Sequence, residues 1–162
     1  MPSKQIIFAV VTFLHDLFTA AWIGGLLTLA ISVLPAARDI LKKEETQRLM
    51  NAIQRRLRVV VYVSIAGLAL TGMLLSNRSP AFGGLFGFGT PYAAVLSVKH
   101  LVMLVMVAIA LLRSTVLPRL KIPAPTRARW SLILLLTNLA LGILILALTG
   151  FIVALGTAPL PG

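Results

Sequence analysis

Residues 130–155 decide the fold class, and they read WSLILLLTNLALGILILALTGFIVAL. The stretch is 26 residues long and contains no charged residue. A helix needs about 20 predominantly apolar residues to cross the hydrocarbon core of a bilayer. The stretch therefore predicts a transmembrane helix. Three further apolar stretches, at residues 6–34, 59–75 and 93–117, are long enough for the same role.

The composition of the whole chain agrees with a lipid environment. Hydrophobic residues make up 59% of the 162 residues, charged residues make up 12%, and the mean hydropathy is +0.99. A soluble domain carries about 25% charged residues, and so short a chain cannot bury this excess of apolar side chains. We therefore predict an all-α fold, in which residues 1–162 form a single domain, a four-helix transmembrane bundle of up-down-up-down order. A soluble enzyme does not fit this composition.

The basic residues are distributed unevenly between the two sides of the predicted bundle. The chain has 15 Lys and Arg against 4 Asp and Glu, a net charge of +11. Seven cations lie between the first and second stretches and four between the third and fourth, whereas the other side has only Lys4 and Arg78. Cytoplasmic loops are enriched in Lys and Arg, so we predict a cytoplasmic-membrane protein with both termini and the loop at 76–92 outside. The same rule explains the charge without a nucleic-acid partner.

The two basic loops differ in character. The first contains a charged, amphipathic segment at residues 42–56. Such a segment favours either a helix along the membrane surface or an extension of the second span into the cytoplasm. The second loop contains Pro118, Pro123 and Pro125, which predict a stiff turn between two helices.

Five ionisable residues fall inside the apolar stretches, where such residues are costly and usually functional. Four of them form two adjacent pairs, His15–Asp16 in the first stretch and Lys99–His100 in the third. The fifth, Arg113, lies near the basic end. Its long side chain can reach the interface there, so we assign it no role.

The two histidines are the only ones in the chain. His15 lies roughly 13 Å and His100 roughly 10 Å along the helix from the predicted outer ends of their spans, at about 1.5 Å per residue. The first and third spans run in the same direction, so we predict that the imidazoles face each other across the bundle. Trp22 lies on the same inward-facing side of the first span as His15. Small and weakly polar residues on the other spans are interpreted as helix-packing positions. They are Ser64, Gly67, Thr71 and Gly142.

Two facing histidines suit the axial ligation of a b-type haem. This interpretation predicts haem b as the cofactor, with His15 and His100 on the iron. The task would be electron transfer, toward quinone or within a larger membrane redox complex. Lys99, or Arg78 in the outer loop, would pair with the haem propionates, and Asp16 would pair with Lys99 or orient a ligand.

Copper is the alternative ligand. Met73 lies toward the outer end of the second stretch, and Met103 follows His100 by one turn. Thioether and imidazole groups suit Cu(I), which prefers soft ligands, so His15, Met73, His100 and Met103 form the alternative set. A third interpretation is a cofactor-free subunit that helps to assemble a larger complex. The chain has no Cys and no recognisable catalytic triad, so electron transfer or transport is favoured over a stand-alone enzyme.

Several short segments resemble a known family. They are HDLFTAAWIGG at 15–25, RRLR at 55–58 followed by GLALTG at 67–72, and SVK at 97–99. They resemble the first three helices of the copper-resistance D (CopD) membrane domain. The resemblance implies a helical domain of the cytoplasmic membrane that is associated with copper uptake.

The chain also departs from that pattern. Many members of the family have eight spans rather than four, and an apolar residue usually stands where this chain has His100. The departure at His100 favours haem. A looser similarity is to the four-helix, haem-containing protoporphyrinogen oxidases, which also have an early histidine in their first span.

Overall fold

The computed structural model describes residues 3–76 and 89–157, which form four long helical spans. Each span is long and apolar enough to cross a membrane, and the described residues contain no strand. The predicted all-α, four-helix transmembrane bundle is confirmed, and the chain is a multi-pass membrane protein. Most of the outer loop, with Arg78, lies outside the described residues.

The four spans are placed around a common core. They are Ser3–Ile40, Lys43–Leu75, Pro91–Arg119 and Ala124–Ala154, called spans 1 to 4 below. Span 1 packs mainly on span 2, span 3 packs mainly on span 4, and span 1 also contacts span 4. A hydrogen bond of 2.6 Å between the hydroxyls of Tyr62 and Ser114 joins spans 2 and 3. Spans 1 and 3 therefore occupy opposite corners of the bundle.

The core contains large apolar side chains and a few polar ones. Trp22, Leu26 and Met106 are almost completely buried. Asn138 of span 4 donates from Nδ2 to the Met106 carbonyl of span 3 at 3.3 Å, and this bond ties the two helices together. Apolar side chains also cover the outside of the bundle, as expected for a surface in contact with lipid. Examples with 63%, 65% and 66% exposure are Phe13, Ile31 and Leu70.

Span 2 is longer than its apolar stretch. Its helix runs over Lys43–Ser76, so the charged segment at 42–56 is an extension of span 2 rather than a separate surface helix. Glu44 and Glu45 lie in the first turn, where acidic side chains interact favourably with the helix dipole. Glu45 also accepts a hydrogen bond from the Lys42 N–H at 3.1 Å. These contacts explain why the helix begins at Lys43.

Spans 1 and 3 each widen into a π-helix near their basic ends. The π-helical segments are Leu29–Val33 and Leu112–Val116. Each is followed by a proline, Pro35 or Pro118. A proline lacks an N–H, and in an α-helix its ring collides with the carbonyl four residues earlier. One extra residue in the turn relieves both problems, which accounts for a π-helix at these two places.

Candidate functional site

His15 is on span 1, and its ring is held by span 2. The Nδ1 atom lies 2.8 Å from Oγ1 of Thr71, and that oxygen lies 2.7 Å from the Gly67 carbonyl oxygen. A carbonyl oxygen can only accept, so the single hydroxyl proton of Thr71 is donated to Gly67. Toward His15 the hydroxyl therefore accepts, and Nδ1 carries the donated proton. Nε2 of the neutral ring keeps its lone pair, the form in which histidine binds a metal.

Small residues on span 2 let the two helices approach closely at this level. A Cβ atom added to Gly72 would lie 3.8 Å from Cε1 of His15. Phe18, one turn after His15, packs directly on Gly67, where an added Cβ would overlap its ring. Small residues have this role in membrane helices because they let backbones meet. The segment 67–72 thus determines where both side chains of span 1 can lie.

His100 is on span 3, and its side chain is half-buried. Its Nδ1 atom is buried and makes no hydrogen bond of acceptable geometry within the described part of the chain, although the Leu96 carbonyl lies nearby. A buried polar atom without a partner is unusual in a native protein. Met103, one turn further on, is partly buried and packs against the core. Span 3 therefore places an imidazole and a thioether one turn apart on the same helix.

Lys99 connects the two ionisable pairs electrostatically. It is half-buried and interacts with the charge of Asp16 and with the ring of His15, both on span 1. The side chain of Asp16 itself is exposed on the bundle surface. The structure thus brings the pair from span 1 and the pair from span 3 within electrostatic range of each other.

The other candidate residues lie apart from this level. Met73 is 68% exposed, on the outside of span 2 rather than on an inward face. Trp22 is buried two turns further toward the basic end, and its Nε1 atom has no hydrogen-bond partner among the described residues. Arg78 lies outside the described residues. No group of three or more His, Asp or Glu side chains in the described ranges could hold a metal ion.

Two cavities occupy the basic half of the bundle. The smaller, about 50 Å³, is lined in part by Trp22, Asn138 and Arg113. The larger, about 890 Å³, lies between the basic ends of all four spans, and Arg58 and Arg113 line both cavities. Arg113 donates from Nε to the Ser131 hydroxyl at 3.2 Å. Its side chain therefore points into the bundle and not, as expected from the sequence, to the membrane interface.

Comparison with known proteins assigns the chain to a family. The family model described as "Copper resistance protein D" matches residues 51–152, more than half of the chain. The chain belongs to the CopD family. This confirms the resemblance seen in segments 55–58, 67–72 and 97–99, and it favours copper over haem. No curated protein and no solved structure matches the chain.

The CopD match covers only part of the candidate site. It includes the candidate residues of spans 2 and 3, namely Met73, Lys99, His100 and Met103. It begins after span 1, so the role of His15 depends on the geometry alone. Sequence reasoning did not identify Thr71 as the partner of His15, because a threonine on a membrane helix is also a common packing residue. Only the contact between spans 1 and 2 distinguishes the two roles.

Proposed function

We propose that this protein binds copper within the cytoplasmic membrane and takes part in its movement across that membrane. The observation that carries the proposal is the CopD match over residues 51–152. The matched region includes His100, a half-buried imidazole in a membrane span, where such residues are costly and usually functional. The hydrogen bond from His15 to Thr71, which leaves Nε2 free, is independent support.

The ligands in this proposal are Nε2 of His15, the imidazole of His100 and the thioether of Met103. Imidazole and thioether groups together suit Cu(I), because this ion prefers soft ligands. Met73 is left out of the set, since its side chain is 68% exposed on the outside of the bundle. Copper is the cargo in this mechanism and does not change its oxidation state.

Asp16 and Lys99 give the site a means of releasing its ion. An isolated cation inside a membrane protein is costly. Asp16 lies within electrostatic range of Lys99, and in this proposal an entering Cu(I) ion competes with the ammonium group for the favourable field of that carboxylate. Conduction and transport both require binding that is favourable enough for entry and weak enough for release. The carboxylate favours entry, and the ammonium group favours release.

Titration of the detergent-purified protein with Cu(I) against a competing chelator tests the proposal. We expect His15→Ala and His100→Ala each to weaken Cu(I) binding at least about tenfold. Removing only the hydrogen-bond partner of a metal-binding histidine already lowers metal affinity about 10- to 100-fold. Met103→Leu should weaken binding, whereas its matched control Met73→Leu should not. Full Cu(I) affinity in both histidine variants would overturn the ligand assignment.

Haem b remains the competing prediction and is tested on the same sample. A bis-histidine haem gives a red protein with a Soret band and a low-spin spectrum, both lost in His15→Ala and His100→Ala. A red wild-type protein would replace copper by haem and electron transfer. A protein that binds neither would support a cofactor-free assembly subunit.

A further inference from the structure

The larger cavity at the basic end, called the basic cavity below, has a strongly one-sided charge. Six cationic side chains line it, and among the described residues its lining contains no Asp or Glu. The six come from all four spans, and they are Arg38, Lys43, Arg55, Arg58, Arg113 and Arg127. Like charges that surround one cavity repel each other. An anion in the cavity would relieve this repulsion.

Two of these arginines have buried N–H groups without a partner. Arg113 uses Nε to bind Ser131, but its Nη2 atom is buried and has no hydrogen-bond acceptor within the described ranges. Arg127 donates from Nη2 to the carbonyls of Leu120 and Ile122 at 2.9 and 3.3 Å, while its Nε is buried and unpaired among the described residues. Buried donors on a cation are best satisfied by a negatively charged acceptor such as a phosphate.

The basic cavity also has an apolar wall. Leu29, Met50 and Leu135 line it and are themselves buried. A free inorganic anion gains nothing from such a wall, whereas a headgroup that is attached to glycerol and acyl chains does. The volume of about 890 Å³ falls within the range of about 300–1,000 Å³ that is usual for organic ligands. Basic pockets between membrane helices are known binding sites for anionic lipid headgroups.

We propose that the basic cavity binds the phosphate group of an anionic phospholipid. Arg58, Arg113 and Arg127 bind the phosphate, and the wall around Leu29 and Leu135 contacts the glycerol and the first acyl carbons. The π-helix at Leu112–Val116 contributes to the site, because Arg113 lies on it and points into the cavity. This lipid site is separate from the copper site and does not depend on it.

Two double variants on one helix test the lipid site. Arg55→Gln with Arg58→Gln removes two cations from the cavity lining, whereas Arg48→Gln with Arg56→Gln removes two exposed cations outside the lining. All four side chains are exposed, so neither variant disturbs the core. Native mass spectrometry and thermal unfolding in neutral detergent would follow the addition of phosphatidylglycerol, phosphatidylcholine or inorganic phosphate.

We expect phosphatidylglycerol to remain bound to the wild-type protein and to raise its melting temperature, and phosphatidylcholine to do neither. The variant Arg55→Gln with Arg58→Gln should weaken phosphatidylglycerol binding about tenfold or more, as expected for two cations near a headgroup. The control variant Arg48→Gln with Arg56→Gln should weaken it less than about threefold. Equal losses in both pairs would overturn the site in favour of diffuse attraction. Stabilisation by inorganic phosphate as large as that by phosphatidylglycerol would overturn the lipid as the ligand.

Discussion

The hydroxyl of Thr71 determines which ring nitrogen of His15 carries the proton, because it donates to the Gly67 carbonyl and accepts a hydrogen bond from Nδ1–H. Thr71→Val keeps the shape of the side chain but removes the acceptor. We expect Cu(I) affinity to fall about 10- to 100-fold, which is typical for loss of the partner of a metal-binding histidine. Thr71→Ser should retain most of the affinity. Chelator competition with the purified protein measures both.

The control for this prediction is Thr149→Val on span 4. The Thr149 hydroxyl donates to the Ile145 carbonyl at 2.8 Å, one turn earlier in its own helix. Since that bond stays within one helix, we expect this variant to bind Cu(I) as the wild type does. Unchanged affinity in Thr71→Val would show that the threonine does not orient the ring.

Asp16 and Lys99 form the second residue-scale prediction. Each is an ionisable side chain in a membrane span, and the two interact electrostatically. We expect Asp16→Asn and Lys99→Met each to lower thermal stability, and the double variant to recover part of the loss. We expect a coupling of at most about 1 kcal/mol, because the Asp16 side chain is exposed and exposed opposite charges couple by about 0–1 kcal/mol. Strictly additive losses in thermal unfolding would show that the two side chains act independently.

The contact between spans 1 and 2 depends on the absence of a side chain at Gly67. A Cβ atom there would overlap the Phe18 ring, and overpacking of this kind costs about 1–3 kcal/mol. Gly67→Ala should therefore lower the melting temperature of the detergent-solubilised protein. Adding Phe18→Leu should restore part of it, because the smaller side chain can move away from the new methyl group.

Two other glycines serve as controls for the same substitution. At Gly24 and Gly150 an added Cβ would meet nothing within 4 Å. Both are in helices, where alanine is favoured over glycine by about 1 kcal/mol. Gly24→Ala and Gly150→Ala should therefore leave the melting temperature unchanged or raise it. A similar fall at all three glycines would mean that the Phe18 contact does not limit the packing of spans 1 and 2.

At the scale of the whole molecule, the basic residues predict the orientation in the membrane. Eleven cations lie on the side that carries the loops between spans 1 and 2 and between spans 3 and 4. We therefore expect reporter fusions at both termini and in the loop at 76–92 to report the outside, and a fusion near Lys121 to report the cytoplasm. A C-terminal fusion that is active only in the cytoplasm would contradict this orientation.

Much of the candidate site was predictable from residue types. Histidine, aspartate and lysine are rare in lipid-spanning segments, so His15, Asp16, Lys99 and His100 were recognisable wherever they pointed. The exposed position of Met73 and the inward position of Arg113 could not be predicted from residue type. Methionine is an ordinary apolar residue, and an arginine near a span end usually extends to the interface. Their positions depend on how each helix is rotated in the bundle.

The sequence by itself determined the class of this protein, which is four apolar helices in a membrane. A segment in lipid must satisfy its backbone hydrogen bonds internally, and a helix of sufficient length does so. The sequence also determined the CopD relationship through segments at 55–58, 67–72 and 97–99. Only the tertiary structure decided that His15 contacts Thr71 and that Arg113 lines the basic cavity. The reason is physical: spans that are apolar all round have no amphipathic pattern to define an inward face. Their rotation is set by close packing, such as Phe18 on Gly67.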